Sequence, residues 1–214
     1  MKKGIIFDLD GTIWDCTNTL VEAWNKVLSE FPCTKVVVTL DKLKSLLGKT
    51  LDEIVRCLVE DVEDEEILQQ IALRCCQVEH ELLSKVGGIL YPMVEETLYL
   101  LSQKYNLYIV SNCQAGYIES FFEAHGLEKY FEDYECPGRS GLKKADNIKL
   151  IMERNDIDKA IYVGDTIMDY EAATKAGVPF VHATYGFGII DEKVEKIDSF
   201  SQLLQYLFED LLLK

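Results

Sequence analysis

Short apolar runs alternate with helical patterns along most of this chain. Residues 4–9 (GIIFDL), 106–110 (NLYIV), 160–163 (AIYV) and 179–183 (PFVHA) are brief apolar runs. Bounded runs of this length predict strands buried in a parallel sheet. Between them lie helical patterns at 93–105 after Pro92, 114–125 before Gly126, 144–155 with Ile148, Ile151 and Met152, and 169–176 before Gly177. A glycine just past the last helical residue suits a left-handed helix end. Strand and helix in alternation predict an α/β fold, an open parallel sheet with helices on both faces.

Residues 17–86 break that rhythm. They carry four helical patterns, at 20–31, 40–47, 51–62 and 65–85, and only one strand-like piece, 36–39, which reads as a linker. Leu51, Ile54, Val55, Leu58 and Val59 form one amphipathic face. Four helices after the first strand predict an inserted helical layer, with a domain boundary near 16 and another near 87. The tail, 200–213, predicts a last helix on the sheet.

Composition narrows the possible partners. The chain has 214 residues, 48% hydrophobic and 28% charged, enough to bury a sizeable core. With 22 Lys and Arg against 37 Asp and Glu, its net charge is −15, which disfavours nucleic acid and anionic membranes. An anionic substrate would need positive charge supplied within its own site. The apolar run at the start meets Asp8 too early for a signal peptide, and nothing reaches the length of a membrane span. Seven scattered Cys with no CxxC pair predict reduced thiols in a cytoplasmic protein.

Three of the runs lead into reactive polar residues, and the carboxyl ends of parallel strands share one crevice. Asp8-Leu9-Asp10-Gly11-Thr12 places two carboxylates two residues apart, on one side if the chain stays extended; alone, it reads equally as an Asx turn. Gly164-Asp165-Thr166-Ile167-Met168-Asp169 sets two more acids four apart at a helix start, which is also simple capping chemistry. Like charges this close need a metal, a shared proton or a cation nearby, and oxygen-only ligands suit Mg²⁺. Ser111-Asn112 can hold phosphate oxygens, or can be a polar turn. Lys143-Lys144 precedes a helix, and one of the two would offset the acids; otherwise both are solvated.

FDLDGT, SN after an apolar strand, a later lysine and GDTIMD, in that order, resemble the four motifs of the haloacid dehalogenase superfamily. The helical insert and DTIMDYEAATKAGVP resemble its phosphoglycolate phosphatase and β-phosphoglucomutase branch. The resemblance implies a Rossmann-like core of residues 1–16 and 87–214 and a four-helix cap of residues 17–86. It also implies a Mg²⁺-dependent phosphatase of a small phosphorylated metabolite, a monomer or homodimer. Asp8 would be the nucleophile and Asp10 the general acid and base. Gly11 and Thr12 would support the loop, and Ser111 and Asn112 would bind phosphate. Lys144 fits the branch pattern better than Lys143, although the family's usual Lys-Pro pairing is absent. Asp8, Asp10 (also through its carbonyl), Asp165 and Asp169 would hold Mg²⁺. An acid at position 10 favours phosphatase over dehalogenase.

Lys49, between two cap helices, is a candidate substrate contact or an exposed loop lysine. Trp14 either lines the cap entrance or packs in the core. Gly186-Phe187-Gly188 lacks a following helix pattern and is no dinucleotide fingerprint. Two other readings stay open: a phosphomutase, and a catalytically idle binding protein of the same fold.

Overall fold

The computed structural model describes residues 2–208. Its central sheet has six strands: β1 (Lys3–Phe7), β4 (Asn106–Val110), β5 (Phe131–Glu135), β6 (Lys159–Gly164), β7 (Phe180–Ala183) and β8 (Glu195–Ile197). They are all parallel, in the order β5-β4-β1-β6-β7-β8. β1 lies at the centre, where its neighbours β4 and β6 belong to later parts of the chain. This is the expected Rossmann-like open sheet.

Alternation along the central strands builds two apolar layers. Ile5, Phe7, Leu107, Ile109, Ile161 and Val163 face one side, with α5 (Val94–Ser102) and α6 (Tyr117–His125). Ile6, Tyr108, Val110 and Tyr162 face the other, with α8 (Lys144–Arg154) and α9 (Ile167–Ala176). Both faces are covered, so these strands read as unbroken apolar runs in the sequence.

Two strands of this sheet have no such run. β5 (FEDYE) and β8 (EKI) are the edge strands, each with a single strand neighbour. β5 keeps its charges because Arg154 of α8 binds Asp133 at 2.8 Å and Glu135 at 2.9 Å. A two-stranded antiparallel pair, β2 (Trp14–Asp15) with β3 (Ile89–Leu90), is too short to show a period. Between β2 and β3 lie four helices: α1 (Thr17–Ser29), α2 (Leu40–Lys44), α3 (Leu51–Leu58) and α4 (Glu65–Val86). The pair therefore closes the base of the insert. Residues 36–39 are irregular up to Thr39, which caps α2, as the linker reading expects. A Thr50–Glu53 capping box starts α3, and Asp64 caps α4.

A short helix, α7 (Pro137–Ser140), follows β5. After β8 comes one 3₁₀ turn, Phe200–Gln202, and then α10 (Leu203–Phe208). The predicted final helix extends to 213, so its last part lies outside the described residues. No described helix is long and apolar enough to cross a membrane.

Candidate active site

β1 stops at Phe7, two residues before the end of its apolar run. The backbone then turns: Ile13 N–H donates to the Leu9 carbonyl at 2.9 Å, and Gly11 N–H to the Trp14 carbonyl at 2.9 Å. Gly11 has φ +80°, and a Cβ there would collide with the Asp165 carboxylate. Only glycine lets this loop lie against the second acidic motif. Although the extended geometry ends early, Asp8 and Asp10 still line one cavity, each with hydrogen-bond partners of its own.

Asp8 is buried at the sheet's carboxyl end, its N–H held by the Val163 carbonyl at 2.8 Å. Lys144, the first residue of α8, is 4% exposed and bridges two acids. Its Nζ lies 2.7 Å from Asp8 Oδ1 and 2.5 Å from Asp169 Oδ1. It also sits 5.7 Å from the Tyr162 ring centre. Lys143, the residue before, is exposed. Asp169 also accepts from the Thr166 N–H at 2.9 Å and the Thr166 hydroxyl at 2.6 Å, so GDTIMD does cap its helix.

Asp165 Oδ2 accepts from the Phe187 N–H at 2.7 Å, while its buried Oδ1 has no partner. The loop carrying that N–H is Gly186-Phe187-Gly188, where a Cβ on either glycine would strike Asp165. The GxG that fails as a dinucleotide signature thus wraps an acid of the site. Its signal is a close approach, which the sequence does not show.

One oxygen from each of Asp8, Asp165 and Asp169 falls within 4.8 Å of the others. Burial pushes Asp8 up to about pKa 7, with Asp169 adding to the effect and Lys144 opposing it. Burial also drives Asp165 well above the carboxylate range, with Asp169 and Asp8 adding. Burial pulls Lys144 down, but Asp169 and Asp8 more than reverse this and keep it a cation. Three buried acids share a single ammonium. An all-oxygen set with one buried oxygen unpartnered is the chemistry that suits a hard cation.

The Asp10 carboxylate is not in that trio. Its Oδ1 accepts from Trp14 Nε1 at 2.7 Å, Cys16 Sγ at 3.0 Å and the Tyr117 hydroxyl at 3.0 Å. Burial raises Asp10, and these donors oppose the rise. Trp14 is fully buried against Tyr117 and Phe121, so of its two readings core packing holds, with a polar handle on Asp10 added. Cys16 and Tyr117 carry no motif, and nothing in the sequence marks them as partners of Asp10.

Asp8, Asp10, Lys49, Ser111 and Asn112 line one cavity between the sheet and the inserted helices. Glu79 of α4 and Gln114 also line it, and neither stands out in the sequence. Asn112 Nδ2 donates to the Gly48 carbonyl at 2.8 Å, tying the sheet to the insert. Thr12 is buried behind the loop, its carbonyl bound by the Tyr185 hydroxyl at 2.9 Å. The free space in the cavity is about 40 Å³, the scale of a few waters.

The family model for haloacid dehalogenase-like hydrolases matches residues 5–183. The chain belongs to that family. It is similar to the phosphoglycolate phosphatase of Agrobacterium fabrum, 30% identical over 222 residues, which cover 98% of this chain and 94% of the relative. It is also similar to that of Rhodobacter capsulatus, 29% identical over 191 residues, covering 87% and 86%. Among solved structures, a predicted phosphoglycolate phosphatase from Haemophilus somnus superposes with TM-score 0.85 at 23% identity, covering 96% and 98%. CbbY from Rhodobacter sphaeroides in complex with phosphate superposes with TM-score 0.81 at 18% identity, covering 95% and 96%. At these identities the structures establish the shared fold.

Proposed function

We propose that this protein is a Mg²⁺-dependent phosphatase of a small phosphorylated metabolite. Asp8 is its nucleophile and Asp10 its general acid and base. The observation that carries this reading is the buried Lys144, bonded to both Asp8 and Asp169 beside the unpartnered oxygen of Asp165. Phosphoryl transfer needs positioning and charge neutralisation above all. Here a fixed ammonium holds the attacking carboxylate, and three acids stand ready for a cation.

The Asp8 carboxylate attacks phosphorus and the ester oxygen leaves, taking the proton of Asp10. The burial that raises Asp10 favours its protonated form for this step. Water then attacks the aspartyl-phosphate, with Asp10, now ionised, taking the water's proton. Ser111 and Asn112, with the Gly11 and Thr12 loop, hold phosphate oxygens at the strand ends, and Lys144 offsets their charge. A Mg²⁺ ion bound by Asp8, Asp165, Asp169 and the Asp10 carbonyl would add further neutralisation of the phosphate.

Residues 1–16 and 87–214 act as the catalytic core and 17–86 as a cap, with 209–214 outside the described residues. The cavity supports this division, since the strand ends line one side of it and residues 20–79 of the inserted helices line the other. Lys49, on the cap side, contacts the incoming substrate. The protein works in the cytoplasm on a metabolite, as monomer or homodimer, without nucleic acid or membrane. The curated relatives named phosphoglycolate phosphatase place that ester on any test panel.

The test is phosphate release from a panel of phosphometabolites and p-nitrophenyl phosphate, with Mg²⁺ and with EDTA. Wild type releases phosphate only with Mg²⁺, and Asp8→Asn falls by a factor on the order of 10³ or more. Silence of folded wild type on every ester, or full activity of Asp8→Asn, rejects the assignment.

A further inference from the structure

Glu79 takes no part in the chemistry above, yet it is 3% exposed and lines the cavity beside Asp10. It comes from α4, within the inserted helices. Its Oε1 accepts from Trp24 Nε1, and its Oε2 accepts from the Gln114 amide. Trp24 belongs to α1, while Gln114 belongs to the strand-end loop that carries Ser111. The carboxylate is therefore pinned from both sides of the cavity.

Both of its partners are neutral N–H donors, and burial still pushes its pKa up to about 8. The wall around it is apolar, built from Leu20, Trp24, Leu43, Leu47, Leu51 and Ile54. Once ionised, above that pKa, a carboxylate in such a wall attracts a hydrogen-bond donor and repels a second negative charge. Lys49 lies on the same cavity but is partly exposed, so water screens its charge more than that of Glu79.

The other groups facing this space belong to phosphate chemistry. Asp8, Ser111 and Asn112 lie at the sheet's carboxyl end, and Asp10 receives its own three donors. The apolar wall and Glu79 are the part of the cavity lining that those groups leave for the alcohol part of an ester.

We propose that Glu79 is a specificity-determining residue of this site. It selects phosphate monoesters whose alcohol part presents a hydroxyl or ammonium donor, and disfavours those carrying a second anion such as a carboxylate. This rests on the phosphatase reading above. It also sets this chain's preference against phosphoglycolate itself.

Two nearly isosteric esters test it: 2-hydroxyethyl phosphate, which ends in CH₂OH, and 2-phosphoglycolate, which ends in a carboxylate. Their kcat/KM values are compared at pH 9 with Mg²⁺, for wild type and Glu79→Gln. Wild type favours the hydroxyl ester by about tenfold or more, and Glu79→Gln narrows that ratio about tenfold by gaining on phosphoglycolate. The ratio is internal to each preparation, so partial loss of folded protein cancels. The wild-type preference needs no variant at all. Turnover with equal or reversed preference, or a ratio unchanged in Glu79→Gln, overturns the inference alone. Silence of wild type on both esters and on p-nitrophenyl phosphate removes the phosphatase reading and the inference with it.

Discussion

On the sheet side of the cavity, Asp8, Asp165, Asp169 and Lys144 are buried, and each is bound by backbone or by one of the others. On the side of the inserted helices the wall is aliphatic and aromatic, with Glu79 as its buried acid and Lys49 partly exposed. The sheet wall is rigid because parallel strands on both sides of β1 fix where Asp8 and Asp165 begin. The helical wall reaches the sheet through side-chain contacts such as Asn112 to Gly48 and Gln114 to Glu79. Contacts of that kind can break and re-form as a layer moves, whereas a strand ladder cannot. In the reading proposed above, chemistry belongs to the sheet wall and selection to the helical wall.

The largest effect that would sharpen this contrast is on the sheet wall. Lys144→Met leaves buried acids with no cation, and kcat/KM for phosphate release falls by about 10³-fold or more. In EDTA the same change costs about 3–5 kcal/mol in urea unfolding, since it strips the partner from a buried pair. Near-normal activity with near-normal stability would mean that the bridge is incidental.

Next in size is the pH dependence of stability without metal. The folded state holds the Asp8 carboxyl up to about pKa 7, while the unfolded chain releases that proton near pH 4. Between these values the folded state binds the extra proton, so stability falls as pH rises. In EDTA, Tm is expected to drop by about 5 °C or more from pH 5 to pH 8, and Mg²⁺ at pH 8 to restore it. Asp8→Asn makes the profile shallower, the raised pKa values of Asp165, Asp10 and Glu79 keeping part of the slope. A wild-type Tm that rises across that interval and ignores Mg²⁺ would show the acids are not held as described.

A smaller effect belongs to the loop between the two walls. Tyr117→Phe removes one of three donors to Asp10 while sparing the ring against Trp14. Losing a donor to the ionised form raises its pKa, so the limb of the kcat profile needing ionised Asp10 moves to higher pH. A shift of about half a unit to one unit is expected, with kcat down severalfold. An unmoved limb with unchanged kcat would make Tyr117 a packing residue.

The smallest effect lies on the outer surface of the helices. Arg56 and Glu65 pair at 2.5 Å but are 51% and 62% exposed. Arg56→Ala leaves Tm within about 1 °C and kcat/KM unchanged. A substantial loss of activity would mean that the outer face of the insert contributes to closure.

Legibility in the sequence followed burial. Strands covered on both faces announced themselves as apolar runs, and the helices of the insert showed their amphipathic faces. Edge strands β5 and β8 stayed hidden because one flank needs no apolar neighbour, and β2 and β3 because two residues show no period. The acids were legible because they close strands, and their order along the chain carried the family resemblance.

The sequence by itself determined the class of fold, the helical insert and which residue types could meet at the sheet's carboxyl end, because local period and motif order encode these. Only the tertiary structure decided which lysine enters the site, that Lys144 bridges Asp8 and Asp169, and that Asp10 turns toward Trp14, Cys16 and Tyr117. It alone brought Glu79 to the cavity and the Gly186–Gly188 loop onto Asp165. These partners lie far apart along the chain, and what joins them is packing density and the need to satisfy buried polar groups, which no local pattern records.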